Sequence, residues 1–390
     1  MNTWSKQKIE DIVERTPKTH LEMNREYPFL AMENISSSSK SARKYVIKKY
    51  TGTGSRYLPG DTLYARITPC LQNKKITQAN YIGFGSTELF VFRCKENISD
   101  PNYIYYLLLL DDINKTAEIS MTGASGRQRA DIKSILEYET LIPELPTQIQ
   151  LGSLLSKYDN LIRNNERRIK ILEEMSQLLY IQWFVGFKFP GYKQVKMGNG
   201  KAQYKMIPEG WEVVEIGSLL KNVKRKIKIQ VSEYKQMGHF PVVDQGRSFI
   251  AGYTENKDSV YTEDLIVFGD HSRCFKYCNF HFACGADGTQ LLKTSDLDRM
   301  PESLLYFTVL NSGLQDYSYA RHFKFLKAIS VLKPTTYLAK YFDKLVNQTL
   351  TQIKRLKEQN ICLIKLRDIL IPQIITGKRQ LKNQSYDKKN

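Results

Sequence analysis

The residues best suited to chemistry fall in one short segment: His271, Cys274, Cys278, His281 and Cys284. Thiolates and imidazoles this close in sequence supply the donor set of a tetrahedral zinc site. Their spacing lacks a Cys-x-x-Cys knuckle, and the intervening Phe275, Tyr277, Phe280 and Phe282 predict strands. Strand alternation sends neighbouring side chains to opposite faces of a sheet, so the segment reads as sheet and no metal is expected. Other catalytic chemistries lack their residues. No glycine-rich loop ends in the Lys-Ser/Thr of a P-loop, and Gly52–Thr53–Gly54–Ser55 is a glycine pair in a turn-like stretch. The Asn-Pro-Pro-aromatic tetrapeptide with which amino-methyltransferases approach a target base is missing. No catalytic residue is expected.

What the chain does supply is donors for a polyanion. Its 390 residues carry 58 Lys and Arg against 40 Asp and Glu, a formal charge of +18. Such a surplus points first to nucleic acid. An arginine fork bonds guanine O6 and N7 together, and Asn or Gln suits adenine. On that chemistry the candidate contacts in the first half are Arg66, Lys74, Lys75, Arg127, Gln128 and Arg129. The last three lie in a glycine-containing polar loop, Thr122 to Arg129. In the second half they are Arg247, His271, Arg273, Lys276, Arg321, His322 and Lys324. The run Lys224–Arg225–Lys226 with Lys228 is read as phosphate-facing or solvated. A membrane partner is not expected, because the longest apolar run, Tyr103–Leu110, falls far short of the ~20 residues a span needs. The opening residues Met1 to Lys6 lack the apolar core of a signal peptide. Six scattered cysteines, Cys70, Cys94, Cys274, Cys278, Cys284 and Cys362, fit a reducing cytoplasm.

Two long segments must position these loops, and they repeat one another. Leu151, Leu155, Tyr158, Ile162, Asn165, Ile169, Leu172, Ser176 and Leu179 alternate in steps of four and three, the mark of a coiled-coil seam. Phe342, Leu345, Thr349, Ile353, Leu356, Asn360 and Leu363 form a second series. Asp159 aligns with Asp343, 184 residues on, as do Leu161 with Leu345, Leu172 with Leu356 and Glu174 with Glu358. Asn165 matches Thr349 and Ser176 matches Asn360, polar residues that fix register at some cost in stability. The preceding segments correspond more weakly. Trp4 aligns with Trp211 and Tyr27–Pro28 with Phe240–Pro241. Gly60–Leu63 aligns with Glu263–Ile266, and Gly85–Glu88 with Asp287–Gln290.

The expected class is therefore α/β (mixed α+β). Two globules are separated by two long antiparallel coiled-coil helices, in a pseudo-two-fold internal duplication. The boundaries read 1–146 for the first globule, 147–186 for the central helix and 187–206 for a linker. They continue with 207–335 for the second globule, 336–376 for the distal helix and 377–390 for a basic tail. A helix of ~40 residues is ~60 Å long, so two heads on such a rod suit two DNA half-sites across a fixed gap. A single-chain duplicate can read two different half-sites. The rival uses of a two-headed object are a non-enzymatic nucleic-acid-binding or protein-bridging scaffold and an RNA binder.

Ile207–Pro208–Glu209–Gly210–Trp211, Gly60–Asp61–Thr62–Leu63–Tyr64–Ala65–Arg66–Ile67, and Phe268–Gly269–Asp270–His271 with Gly285–Ala286–Asp287–Gly288 resemble the target-recognition domains of type I restriction–modification specificity subunits. Tyr158–Ile162 with Phe342–Val346 resembles the spacer helices of that family, and Leu370–Gly377 the usual end of the second one. The resemblance covers nearly the whole chain in the expected order. It implies a non-catalytic subunit that recognises an asymmetric bipartite site in double-stranded DNA and directs adenine methylation and restriction. It further implies two methyltransferase subunits and two endonuclease/translocase subunits as partners, with S-adenosylmethionine, ATP and Mg on those chains and no cofactor on this one. Deleting one heptad from each long helix is expected to shorten the gap in the recognised motif, mapped by N6-methyladenine sequencing. A gap of unchanged length would mean that the rod is not the ruler.

Overall fold

A computed structural model describes residues 4–14, 17–36, 39–42, 44–124, 126–286, 288–314 and 321–379. Most of the basic tail (380–390) and Asp287 lie outside the described residues. The chain forms two compact units, residues 1–166 with 358–390 and residues 167–357.

In the first unit, strand Glu26–Leu30 pairs antiparallel with Val46–Lys49 and parallel with Gly83–Gly85, and Ser55–Tyr57 extends that sheet. A second sheet centres on the wholly buried strand Thr62–Ala65, flanked by Ile76–Gln78 and Leu89–Phe92. Trp4–Lys8 pairs with Glu139–Pro143, placing Trp4 opposite Pro143. The second unit repeats this order. Phe240–Val243 pairs antiparallel with Gly252–Thr254 and parallel with Phe282–Cys284. Leu265–Gly269 lies between Phe275–Cys278 and Thr289–Leu292, and Glu212–Glu215 pairs with Ser330–Lys333. Continuous apolar runs at both sheet centres reflect burial on two faces. The duplication seen in sequence is thus a duplication of topology, in a mixed α/β fold. The stretch 187–206, expected as a linker, contains a small hairpin, Met197–Asn199 with Met206–Pro208. Its ends are held by Phe189 stacked on Trp211, with Ile207 in the same core.

The two long helices are α1 (Leu145–Tyr180) and α2 (Thr336–Ile375). Helix α1 starts two residues earlier than its prolines suggested, because Pro146 in the first turn forfeits no intrahelical bond. It leaves the α geometry at Tyr180 and continues as one π-helical stretch, Ile181–Val185. The first seam buries Leu151, Leu155, Ile162, Asn165, Ile169 and Ser176, as the spacing predicts. The second seam departs from expectation early on. Val346 and Leu350 are buried, while Leu345 and Thr349 are half-buried one place aside. A straight helix drifts against a 3.5-residue repeat, so the facing residue shifts by one.

Polar layers interrupt the apolar contact in the first unit. Asn165 Nδ2 donates to Asn360 Oδ1 at 2.9 Å and to Gln359 Oε1 at 3.0 Å. Nearly two turns away, Arg367 Nη1 donates to Asp159 Oδ1 at 2.6 Å, and both residues are buried. The Tyr106 hydroxyl donates to the other oxygen of the same carboxylate. Partner numbers rise on one helix as they fall on the other, so the pair is antiparallel. Asp343, the repeat of Asp159, likewise accepts from the buried helix beside it, here from Ser303 Oγ at 2.6 Å. Among the described residues no helix is long and apolar enough to cross a membrane.

Arg367→Met leaves Asp159 buried without its counter-charge and is expected to cost ~3–5 kcal/mol in urea unfolding. Adding Asp159→Asn should recover much of that loss. A single variant as stable as the parent would remove the ion pair from the account.

Candidate nucleic-acid interface

In the first unit, three loops meet beyond the buried strand Thr62–Ala65. The chain leaving that strand is stitched on both sides: Arg66 N donates to Glu88 O at 3.0 Å and Ala130 N donates to Arg66 O at 2.8 Å. Thr68 N donates to Gln128 O at 3.0 Å, and Thr122 and Arg129 exchange two backbone bonds that close the loop between them. Gly123 and Gly126 turn that loop with φ of +118° and +78°, a region that favours glycine. This scaffold sets two guanidiniums on one carboxylate. Arg129 meets Glu88 through Nε and Nη2 at 2.7–3.0 Å, and Arg66 Nε reaches it at 3.1 Å. Hydrogen bonds from Arg129 and Arg66 hold the Glu88 carboxyl below its ordinary range. Arg127 and Arg129 are exposed and Gln128 is half-buried. Lys74 is paired with Asp111, and Lys75 Nζ donates to Met32 O at 2.9 Å.

The second unit builds the same junction from different side chains. Asp270 N donates to Gly288 O at 2.6 Å and His322 N donates to Asp270 O at 3.2 Å. These bonds equate Asp270 with Arg66, Gly288 with Glu88, and Arg321 with Arg129. The sequence alignment is therefore displaced by two at Glu88, which it set against Gln290, and by one at Thr62. Both strands are wholly buried and mostly apolar, so neighbouring registers look alike in sequence. Asp270 is buried and caps the short helix His322–Lys327 by accepting from Phe323 N at 2.7 Å. Arg247, His271, Arg321 and Lys324 are exposed, and Arg273 is half-buried with φ of +59°.

Lys276 and His322 were expected as contacts, but both side chains are buried. Lys276 Nζ bonds to carbonyls and His322 Nδ1 lies 2.8 Å from Asp270 O. Glu88 and Asp270, which organise the two junctions, carry the wrong charge for a search among basic residues. Their signal was position, each beside a strand of the repeated sheet. The cysteine–histidine segment divides as strand alternation requires: Cys278 and Cys284 join an apolar cluster with Phe282. Burial pushes the Cys278 thiol up and moves that of Cys284 to about 11. Among the described residues no group of three His, Cys, Asp or Glu could hold a metal ion.

Residues 1–174 match the family model described as the type I restriction modification DNA specificity domain. The type I restriction enzyme MjaIX specificity subunit of Methanocaldococcus jannaschii is 22% identical over 299 residues, covering 70% of this chain and 68% of that one. A putative MjaX specificity subunit of the same organism is 25% identical over 240 residues, covering 59% and 53%. Residues 1–174 thus carry the type I restriction modification DNA specificity domain, and the greater part of the chain is similar to type I specificity subunits. Its fold is that of the S subunit of a type I system from M. genitalium, with a TM-score of 0.57 at 15% identity over 98% of this chain and 97% of the other. The type I specificity family is non-catalytic.

Within the first cluster, Glu88 has a measurable role. Its folded carboxyl titrates below the ordinary value of 4.5, so its contribution is present above that value and is lost as pH falls through the lowered one. Glu88→Gln should therefore be less stable than the parent near pH 7, with the gap in melting temperature closing toward pH 3. A gap independent of pH would show that the carboxylate charge does not hold the two arginines.

Proposed function

We propose that this specificity subunit reads an asymmetric, two-part site in double-stranded DNA, one part through each loop cluster. The observation that carries this is the equivalence of Arg129 and Arg321 on a shared backbone scaffold whose other side chains differ. A repeated scaffold gives two reading heads. Replacing the Arg66–Glu88 pair by Asp270 and Gly288 gives them unlike chemistry, hence unlike half-sites. The net charge of +18 suits the phosphate contacts that dominate affinity. In this reading residues 1–146 and 207–335 are the two target-recognition domains. Arg66, Lys74, Arg127, Gln128 and Arg129 face DNA from the first, and Arg247, His271, Arg273, Arg321 and Lys324 from the second. Lys75, Lys276 and His322 support loops instead.

The chemistry belongs to partner chains acting in the cytoplasm. These are two adenine methyltransferase subunits, supplying S-adenosylmethionine chemistry, and two endonuclease/translocase subunits using ATP and Mg. This chain carries no cofactor. Exposed apolar residues recur at repeat positions on the two long helices, which supports paired docking of identical partners. Leu178 on α1 and Val185 in the π-helical stretch that follows it correspond to Cys362 and Ile369 on α2, and Leu366 lies between the latter two.

Genome-wide mapping of N6-methyladenine with and without this chain, beside its methyltransferase, tests the reading. The expected result is a motif of two short parts around a fixed gap that vanishes with the chain. No dependent motif, together with DNA binding that is insensitive to salt, would favour a protein-bridging scaffold. Arg129→Ala and Arg321→Ala are each expected to weaken specific binding by ~1–3 kcal/mol and to relax different parts of the motif. Unchanged affinity and preference in both would remove these arginines from the interface.

A further inference from the structure

Beneath the loops of the second unit lies an ammonium group that does not reach the surface. Lys276, on strand Phe275–Cys278, is 5% exposed. Its Nζ donates to Asp244 O at 2.8 Å and to Ser248 O at 2.5 Å, and lies 3.7 Å from the Asp244 carboxylate. Asp244 in turn accepts from Gly246 N at 2.8 Å and from the Tyr234 hydroxyl at 3.3 Å. One side chain therefore grips both ends of the turn 244–248 from below.

That turn carries Gln245 into the loop cluster. Gln245 Oε1 accepts from His271 N at 3.3 Å. A Cβ on Gly288 would stand 2.7 Å from Gln245 Oε1, and one on Gly269 would stand 2.9 Å from Gln245 Cβ, so both glycines leave room for this residue. Arg247, two places on, is exposed.

Burying an ammonium is costly unless every donor is satisfied, and a methionine would fill the same space without that cost. Burial lowers the Lys276 pKa, with the Asp244 carboxylate opposing it. A charge kept under such strain is explained by the carbonyls it organises. The first unit has a parallel device: Lys75 Nζ donates to Met32 O, in the segment that follows strand Glu26–Leu30.

We propose that Lys276 is a positioning residue that fixes the turn 244–248, and that Gln245 on this turn reads a base in the second half-site. A glutamine amide offers the donor and acceptor pair that matches adenine N7 and N6. The inference rests on the DNA-reading function proposed above and names the residues of one of its heads.

The test is selection of bound duplexes from a random library by the full-length chain, followed by sequencing. Absence of any motif with the parent chain would overturn the DNA-reading function, and this inference with it. Given a parental motif, Gln245→Ala is expected to lose on the order of 10-fold discrimination at a position in one part, leaving the other part sharp. Lys276→Met should blur that same part, with an unchanged salt slope on random duplex. Two intact parts with Gln245→Ala would overturn the base-reading role. A salt slope reduced by about one with Lys276→Met would make the lysine a phosphate contact and overturn its positioning role. Should Lys276→Met unfold the second unit, seen as lost circular dichroism, the role would be a general structural one and the positioning claim fails; Gln245→Ala, at a loop residue, still decides the reader.

Discussion

A carboxylate and a guanidinium in an apolar seam are tolerable only together, and Asp159 and Arg367 are placed so that neither is tolerable alone. Their bond joins residues 208 positions apart and draws the end of α2 onto the first globule. Tyr106 takes the remaining face of the same carboxylate, so the globule, α1 and α2 share one buried charge. The Asn165–Asn360 layer then allows one axial register for the helix pair. Sliding by a turn would leave both amides and the ion pair facing hydrocarbon. The apolar seam supplies the stability, and the polar layers decide which alignment receives it.

The second unit solves the same problem with different groups. Asp343 takes its bond from Ser303, and Trp183 stands where the repeat would put Arg367. Trp183 packs on Phe342 and Tyr341, an aromatic contact in place of an ionic one. The repeats are thus alike in backbone and unlike at the residues that specify pairing. The same division governs the loops, where one pattern of backbone bonds carries Arg66 and Glu88 in one unit and Asp270 and Gly288 in the other. A duplicated scaffold with diverged side chains presents two loop surfaces of unlike chemistry.

Much of this is legible in the sequence. Steps of three and four located both helices, because burial of one face imposes that period. Trp4 and Trp211 marked equivalent places: Trp4 faces Pro143, and Trp211 immediately precedes Glu212, which faces Lys333. The second seam was misplaced by one residue at Leu345 and Thr349, since Val346 and Leu350 satisfy the same period almost equally well. Among the basic residues, type alone could not separate Arg129, exposed at a loop end, from Lys276, enclosed beneath a turn.

The sequence by itself determined the composition of the surface charge, the two-fold repetition, the helical seams and the lack of familiar catalytic motifs. These properties follow from residue types and short spacings, which local geometry translates directly into structure. Only the tertiary structure decided that Arg66 and Arg129 share Glu88, that Arg321 is the counterpart of Arg129, and that Lys276 faces carbonyls. Each of these depends on loops brought together by strands far apart in the chain. A side chain's role there is set by its neighbours in space, which spacing along the chain does not encode.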